Sequence, residues 1–351
     1  MPITYGQSGQ PAQSTFNYDA LIATSLANYR RQLVDNISSS NAFFKEVAWE
    51  SRDGGLFLAE DLMYALAPVD SYDSYDELTL APTNGITQAQ FPWAQASAPI
   101  LISGKERKQN KHRIVDLISA KIEQAEMGIR EFWGKAFLQG SLAGAGASLT
   151  TPYVSAANGS QFVLPLPLLI HYTPTASVEI GGINQSTNAW WRNHSLSSSA
   201  TTKEGLLLEI MTMYNNCSKK AGGPPRLGLC DQTTWELINI AYYDKYRARM
   251  EPVGDYPFPA VKFWDMKLVW DEFVPDVHSN TVDTSTYGTL FFINTKFMKC
   301  AYESETNFVV TNMERVPNQD VDYKHILWMG GVTCSNRRKL GVIGKIARTL
   351  T

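Results

Sequence analysis

The chain has 351 residues, 44% of them hydrophobic and 19% charged, with a net charge of −3. This is the composition of a folded protein with a sizeable core, two or so domains by length, and not of a disordered chain. The slight acidity argues against a dedicated sequence-specific nucleic-acid binder, which would be basic, and it lets many copies pack without strong repulsion.

The opening stretch, MPITYGQSGQPAQSTFNYDA, lacks both the basic and the apolar parts of a secretory signal. No apolar run approaches the ~18 residues of a membrane span. The candidate FVLPLPLLI at 162–170 is short and carries two prolines. The expectation is a protein kept in the cytosol and away from membranes. In that reducing setting Cys217, Cys230, Cys300 and Cys334, which form no CxxC pair, read as free thiols packed as small apolar groups.

Residues 1–17 are rich in Gly, Gln, Ser and Pro, as expected for an extended arm. Leu21, Ile22, Leu26, Tyr29 and Leu33 then recur at helical intervals and predict a short amphipathic helix within 18–46. From 47 to 104 turn-formers recur, at Asp53-Gly54-Gly55, Pro68, Pro82, Asn84-Gly85, Pro92 and Pro99, with short apolar stretches between them. This predicts a strand–turn–strand excursion, an extended β-hairpin loop. With about 20 extended residues per arm at ~3.3 Å each it would reach roughly 65 Å, too far to be held by its own core.

Ile114, Leu117, Ile118, Ile122, Ala125, Ile129, Phe132, Ala136 and Phe137 mark one face of a long helix over 113–138, and GSLAGAGAS at 140–148 ends it. Proline- and glycine-rich sequence covers 150–195. Further helices are predicted over 203–218 and 233–249, the second opened by a capping box of Thr233 and Glu236. Strands are predicted at Val261–Trp270, Thr289–Asn294, Asn307–Thr311 and Tyr323–Met329. Helices and strands mix without a βαβ rhythm, which makes the fold class α+β.

The residue types that carry catalysis are not arranged for it. His112, His171, His194, His278 and His325 fall in no HExxH or Cys/His pattern, and there is no GxSxG elbow and no GxxxxGK[ST] loop. Asp70, Asp73, Asp76 and Glu77 have the ligand density for calcium, and Asp320 and Asp322 form a DxD, but both read as solvated acidic positions. Catalytic, cofactor and metal sites are therefore expected to be none. The basic run Lys105, Arg107, Lys108, Lys111 and Arg113 precedes the long helix, where the helix dipole disfavours cations. It reads as a solvated face, as a patch pairing with acidic residues of a neighbouring subunit, or as a contact for DNA phosphates.

A succession of short motifs carries a family resemblance. These are WAQASAPILISGKERKQN at 93–110, Gly181-Gly182-Ile183 followed by Trp190-Trp191-Arg192-Asn193, Leu290-Phe291-Phe292-Ile293-Asn294, and a tail from Asn318-Gln319-Asp320-Val321 through Ile326-Leu327-Trp328 to Ser335-Asn336-Arg337-Arg338. In this order, from about Phe43 to Gly344, the chain resembles the major capsid proteins of tailed bacteriophages, with the Hong Kong 97-type fold. The resemblance implies an N-terminal arm and short helix over 1–46, an extended loop over 47–104, and a peripheral domain over 105–194 that holds the spine helix at 113–138. It also implies an axial domain over 195–300 and a return to the peripheral domain over 301–351.

By the same resemblance the expected function is a virion shell, assembled in the host cytoplasm from hexamers and pentamers around double-stranded DNA. The loop would lie across an adjacent subunit, with Phe57, Leu62, Phe91, Trp93, Lys105, Arg107, Lys108 and Lys111 as subunit contacts. Only about 17 polar residues precede the first helix, which favours a separate scaffolding protein over a built-in one. A portal protein, a decoration protein and non-specific contact to packaged DNA complete the expected partners. Two rival readings are an encapsulin-like cellular compartment and a carbohydrate-active enzyme. The enzyme draws on the nine tryptophans and many carboxylates but lacks a recognisable acid/base pair.

Overall fold

The computed structural model describes residues 43, 46–67, 69–77, 84–109, 117–143, 148–152, 162–220, 222–246, 250–252, 259–312, 314–317 and 319–350. The expected arm, nearly all of the expected first helix and the start of the spine helix lie outside these residues. The chain forms two compact units. Among the described residues, one unit falls within 98–128 and 310–326, and the other within 43–97, 129–309 and 327–350.

The larger unit is built on a seven-stranded mixed sheet. Its strand order is His194–Ser197, Gly341–Ala347, Tyr287–Ile293, Leu227–Cys230, Met266–Trp270, Pro259–Phe263 and Met250–Pro252. The interior strand Tyr287–Ile293 reads as a nearly continuous apolar run because both of its faces are covered. Side chains alternate across a strand, so Leu290 and Phe292 enter one core and Phe291 and Ile293 the other. Burial of such side chains contributes roughly 1.5–3 kcal/mol each.

On the first face pack the helices Lys203–Ser218 and Gln232–Tyr246, whose Leu206, Ile210, Met213, Ile238 and Ala241 are buried. The second face belongs to a larger core that includes Trp133, Phe137, Trp191 and Trp328. A parallel–antiparallel trio adjoins this core: Ala48–Arg52 runs parallel to Met298–Glu303, which pairs antiparallel with 330–334.

Local boundaries follow from capping. The helix Leu117–Gln139 ends at Gly140, whose φ of +56° suits glycine and where a Cβ would come within 2.6 Å of the Leu149 carbonyl oxygen. The helix Gln232–Tyr246 is capped by Asp231, whose Oδ2 accepts the Thr234 N–H at 3.1 Å, and not by the expected Thr233–Glu236 box. Asp231 wins because it also accepts the Thr289 N–H and binds the Arg348 guanidinium, contacts that only the folded sheet supplies.

A true capping box lies in the smaller unit. Ser103 Oγ accepts the Glu106 N–H at 3.2 Å, and Glu106 Oε2 accepts the Ser103 N–H at 3.0 Å, opening the helix Gly104–Gln109.

Three expected boundaries change. Val261–Trp270 is a hairpin and not one strand, turning at Trp264 with φ +54°. Residues 341–347, expected in the peripheral domain, lie inside the seven-stranded sheet beside 194–197. Residues 98–128 and 310–326 belong to a unit of their own, a long-range grouping that no local pattern announces.

Candidate assembly surface

The excursion predicted over 47–104 is rooted in the core. Leu58–Met63 pairs antiparallel with Ile86–Phe91 over six positions, so the paired part spans about 20 Å at ~3.3 Å per residue. The period of two places Leu58, Leu62, Ala89 and Phe91 on one face, and these are 1, 3, 0 and 0% exposed. The other face carries Asp61, Met63, Ile86, Gln88 and Gln90.

The seat for the buried face is the segment 178–193. The Gln90 N–H donates to the Gly181 carbonyl at 3.0 Å. Gly181, with φ +62°, lets the hairpin approach so closely that a Cβ there would meet Ala89 Cβ at 3.0 Å and Phe91 Cζ at 3.2 Å. Tyr64 stacks on Trp190 with centroids 5.1 Å apart. At the root, Arg52 donates to the Ala59 carbonyl at 2.9 Å and pairs with Glu60, which accepts from Thr333 at 3.0 Å.

The 178–193 seat is held from beneath by Arg337, fully buried and without an acidic partner among the described residues. Its Nε donates to the Leu169 carbonyl at 2.8 Å and its Nη1 to the Trp191 carbonyl at 3.0 Å. Its Nη2 donates to Gln185 Oε1 at 3.1 Å and Asn193 Oδ1 at 2.9 Å, and its guanidinium lies 5.7 Å from the Trp191 ring. Burial pulls its pKa down to about 10, so it stays charged at neutral pH. His171, beside it, is held below the ordinary imidazole value by burial and then by the Arg337 charge. Nothing in the NRRKL sequence separates buried Arg337 from exposed Arg338.

Beyond the paired strands the hairpin is apolar and uncovered. Leu56, Leu66, Val69, Tyr72 and Tyr75 are 82, 82, 91, 69 and 101% exposed, and Met63 and Ile86 flank them at 72 and 68%. Half of the large exposed apolar side chains among the described residues fall within 56–86, which marks the hairpin as a surface made to be covered.

The predicted contact residues divide accordingly. Phe57 is 45% exposed, but Leu62 and Phe91, expected to be covered by a neighbour, are covered by their own chain. Trp93 is half-buried against the same core. The reason is the strand period: the expectation counted apolar residues without assigning them to a face. Leu56, Val69, Tyr72 and Tyr75, passed over in the sequence, carry the exposed area instead.

In the smaller unit Lys105 and Lys108 are exposed, while the Arg107 side chain and Lys111 lie outside the described residues. Glu106, the single acid of that run, turns inward and pairs with Lys121 at 3.2 Å. Among the described residues no group of three or more His, Cys, Asp or Glu side chains is placed to hold a metal ion. All four cysteines are buried free thiols, and burial pushes Cys217 and Cys334 up to about 12. No helix among the described residues is long and apolar enough to cross a membrane.

No protein-family model and no curated protein sequence matches the chain. Solved structures do. The capsid of cyanophage A-1(L) superposes with a TM-score of 0.62 at 12% identity, covering 92% of this chain and 97% of that one. The chain has the Hong Kong 97-type capsid fold. The capsid protein of Myoviridae phage XM1 shares the fold with a TM-score of 0.54 at 10% identity, over 86 and 90% of the two chains. So does the encapsulin of the holo-SrpI complex from Synechococcus elongatus PCC 7942, with 0.58 at 7% identity, over 94 and 96%. The Hong Kong 97-type fold is thus reached here by a sequence whose identity to these proteins is 12% or less.

Proposed function

We propose that this chain is a major capsid protein that self-assembles into hexamers and pentamers of an icosahedral phage head enclosing double-stranded DNA. It acts by assembly and not by catalysis. The observation that carries this reading is the hairpin, whose root is locked into its own core while its outer part leaves Leu66, Val69, Tyr72 and Tyr75 bare. Each such side chain gains roughly 1.5–3 kcal/mol when covered, so one hairpin on a second copy contributes several kcal/mol before ordering costs. Closed symmetry repeats that gain at every contact. The likeness to the A-1(L) and XM1 capsids, over most of each chain, supports the same reading.

A separate scaffolding protein, a portal protein, a decoration protein and non-specific contact to packaged DNA are the partners this function entails, with the mature protein in the virion. The encapsulin likeness supports a second reading, a cellular compartment. A gene beside terminase and portal genes favours the phage head; one beside a cargo enzyme favours the compartment.

The test is size-exclusion chromatography and negative-stain microscopy of the expressed chain and of a variant with 65–84 replaced by a short Gly-Ser turn. This replacement spares Leu58, Leu62, Ala89 and Phe91, which a wider deletion would tear from the core. The wild type forms megadalton particles, and the variant is folded and soluble without them. Normal particles from the variant would refute the role given to the hairpin. A wild-type monomer that stays single under all assembly conditions would refute the shell.

A further inference from the structure

Charge is distributed unevenly along this nearly neutral chain. Between Arg52 and Lys105 there is no lysine or arginine, while Asp53, Glu60, Asp61, Asp70, Asp73, Asp76 and Glu77 fall within that span. Four of these carboxylates crowd the exposed tip at 70–77, where Asp73 and Asp76 bond to the loop's own amides.

The opposite bias appears elsewhere in the larger unit. The segments 188–203, 210–230, 292–302 and 331–351 contain no Asp or Glu. The fold brings four of their stretches together. Lys339, 2% exposed, donates from Nζ to the carbonyls of Ser218, Lys219 and Lys220 at 3.3, 2.6 and 3.1 Å, closing the end of the Lys203–Ser218 helix. The His194 N–H donates to the Leu340 carbonyl at 3.0 Å, and the Ser335 N–H to the Phe297 carbonyl at 2.9 Å.

Around this junction Lys219, Lys220, Lys296 and Arg338 are exposed, and none is ion-paired among the described residues. The Lys219 ammonium donates to the Asn216 amide oxygen at 2.7 Å. Lys220 holds φ +68°, a left-handed position that glycine normally fills. A lysine kept there at a conformational cost is consistent with a use for its charge. His194 is held low by burial and then by the charges of Arg338, Lys219 and Lys339, all cations.

We infer that the Lys219–Lys220–Arg338 platform receives the acidic tip of the extended hairpin, residues 70–77, from a second copy of this chain. The inference rests on the shell reading and adds to it where the tip lands. Complementarity decides the occupant: the chain itself supplies, on an exposed hairpin with unsatisfied apolar surface, the anionic group that the platform lacks. Tyr72 and Tyr75, interleaved with the carboxylates, would cover the aliphatic stems of the lysines. Opposed patches of this kind set register and suppress wrong contacts more than they add affinity.

The test is a charge swap in the full chain. Lys219→Glu/Lys220→Glu/Arg338→Glu and Asp70→Lys/Asp73→Lys/Glu77→Lys are each made, checked for fold by circular dichroism, and compared in assembled fraction by sedimentation. Each triple variant should assemble about tenfold less or worse, since like charges then face each other, and the six-residue combination should recover most of the loss. Wild-type assembly should weaken as salt rises.

Normal shells from the platform variant, or no recovery in the combination, would overturn the pairing. Normal shells that retain less nucleic acid would assign the platform to DNA phosphates instead. If the charge-reversed chains fail to fold, Lys219→Gln/Lys220→Gln/Arg338→Gln and the salt series decide, and assembly insensitive to both would end the inference. Absence of wild-type particles would refute the shell reading itself.

Discussion

Replacing Arg337 with alanine tests the reasoning about the hairpin seat most directly. The substitution removes the donors to the Leu169 and Trp191 carbonyls, Gln185 Oε1 and Asn193 Oδ1, and leaves the first three without the bond they had, since Asn193 Oδ1 keeps the His171 N–H at 3.0 Å. At ~1–3 kcal/mol for each of the three unsatisfied groups, and less than additive because they share one site, the loss is about 5 kcal/mol. Against this stands relief from burying a charge. A pKa lowered from 12.5 to about 10 corresponds to ~3 kcal/mol against the charged form, at ~1.4 kcal/mol per tenfold. The net expectation is a destabilisation of about 2 kcal/mol, with Arg337→Lys close behind because one ammonium cannot span the four acceptors. Urea unfolding of the unassembled protein measures it, with hydrogen exchange reporting faster opening in 178–193 and 86–91. A cost below about 1 kcal/mol would mean that water or neighbouring amides satisfy these acceptors unaided, and the argument for Arg337 as the support of the seat would fail.

Gly181→Ala should cost about 1–3 kcal/mol, since the new methyl enters the 3.0–3.2 Å approach to Ala89 and Phe91 at a positive φ. Thermal melts and the assembled fraction check it, and an unchanged melting temperature would show that the hairpin does not seat there. Stability should also fall with acid. His171 and His194 have folded pKa values below 6.5, so the unfolded chain binds more protons as the pH drops below 6.5, and their contribution is present above that pH and lost beneath it. His171→Gln should flatten the slope of unfolding free energy against pH below 6.5. An identical slope in the variant would refute the part given to His171.

Much of the secondary structure was legible locally. The helix over 203–218 coincides with Lys203–Ser218, because its apolar residues recur at the helical period and Thr202 caps it with a side-chain bond to the Gly205 N–H. The spine helix was found by the same stripe and ended at the glycine that structure and sequence both mark. The order of short motifs was enough to bring out the capsid resemblance. Buried and bare apolar residues could not be separated, because Leu62 and Met63, 3 and 72% exposed, differ only in which face of a strand meets a core, and that core is assembled from residues far away in sequence. The same holds for Arg337 and Arg338, adjacent and chemically alike, of which one is buried among carbonyls and the other exposed.

What the sequence determines by itself is therefore what acts over one or two turns of chain: helix periods, turn residues, the polarity of segments and the one-sided charge of 53–104. What only the tertiary structure decides is which side chains are already covered. The placement of 341–347 within the larger sheet, the seat of the hairpin on Gly181 and the gathering of cations around Lys339 all depend on long-range pairing. The physical reason is that burial is a property of two surfaces meeting, and a linear pattern specifies only one of them.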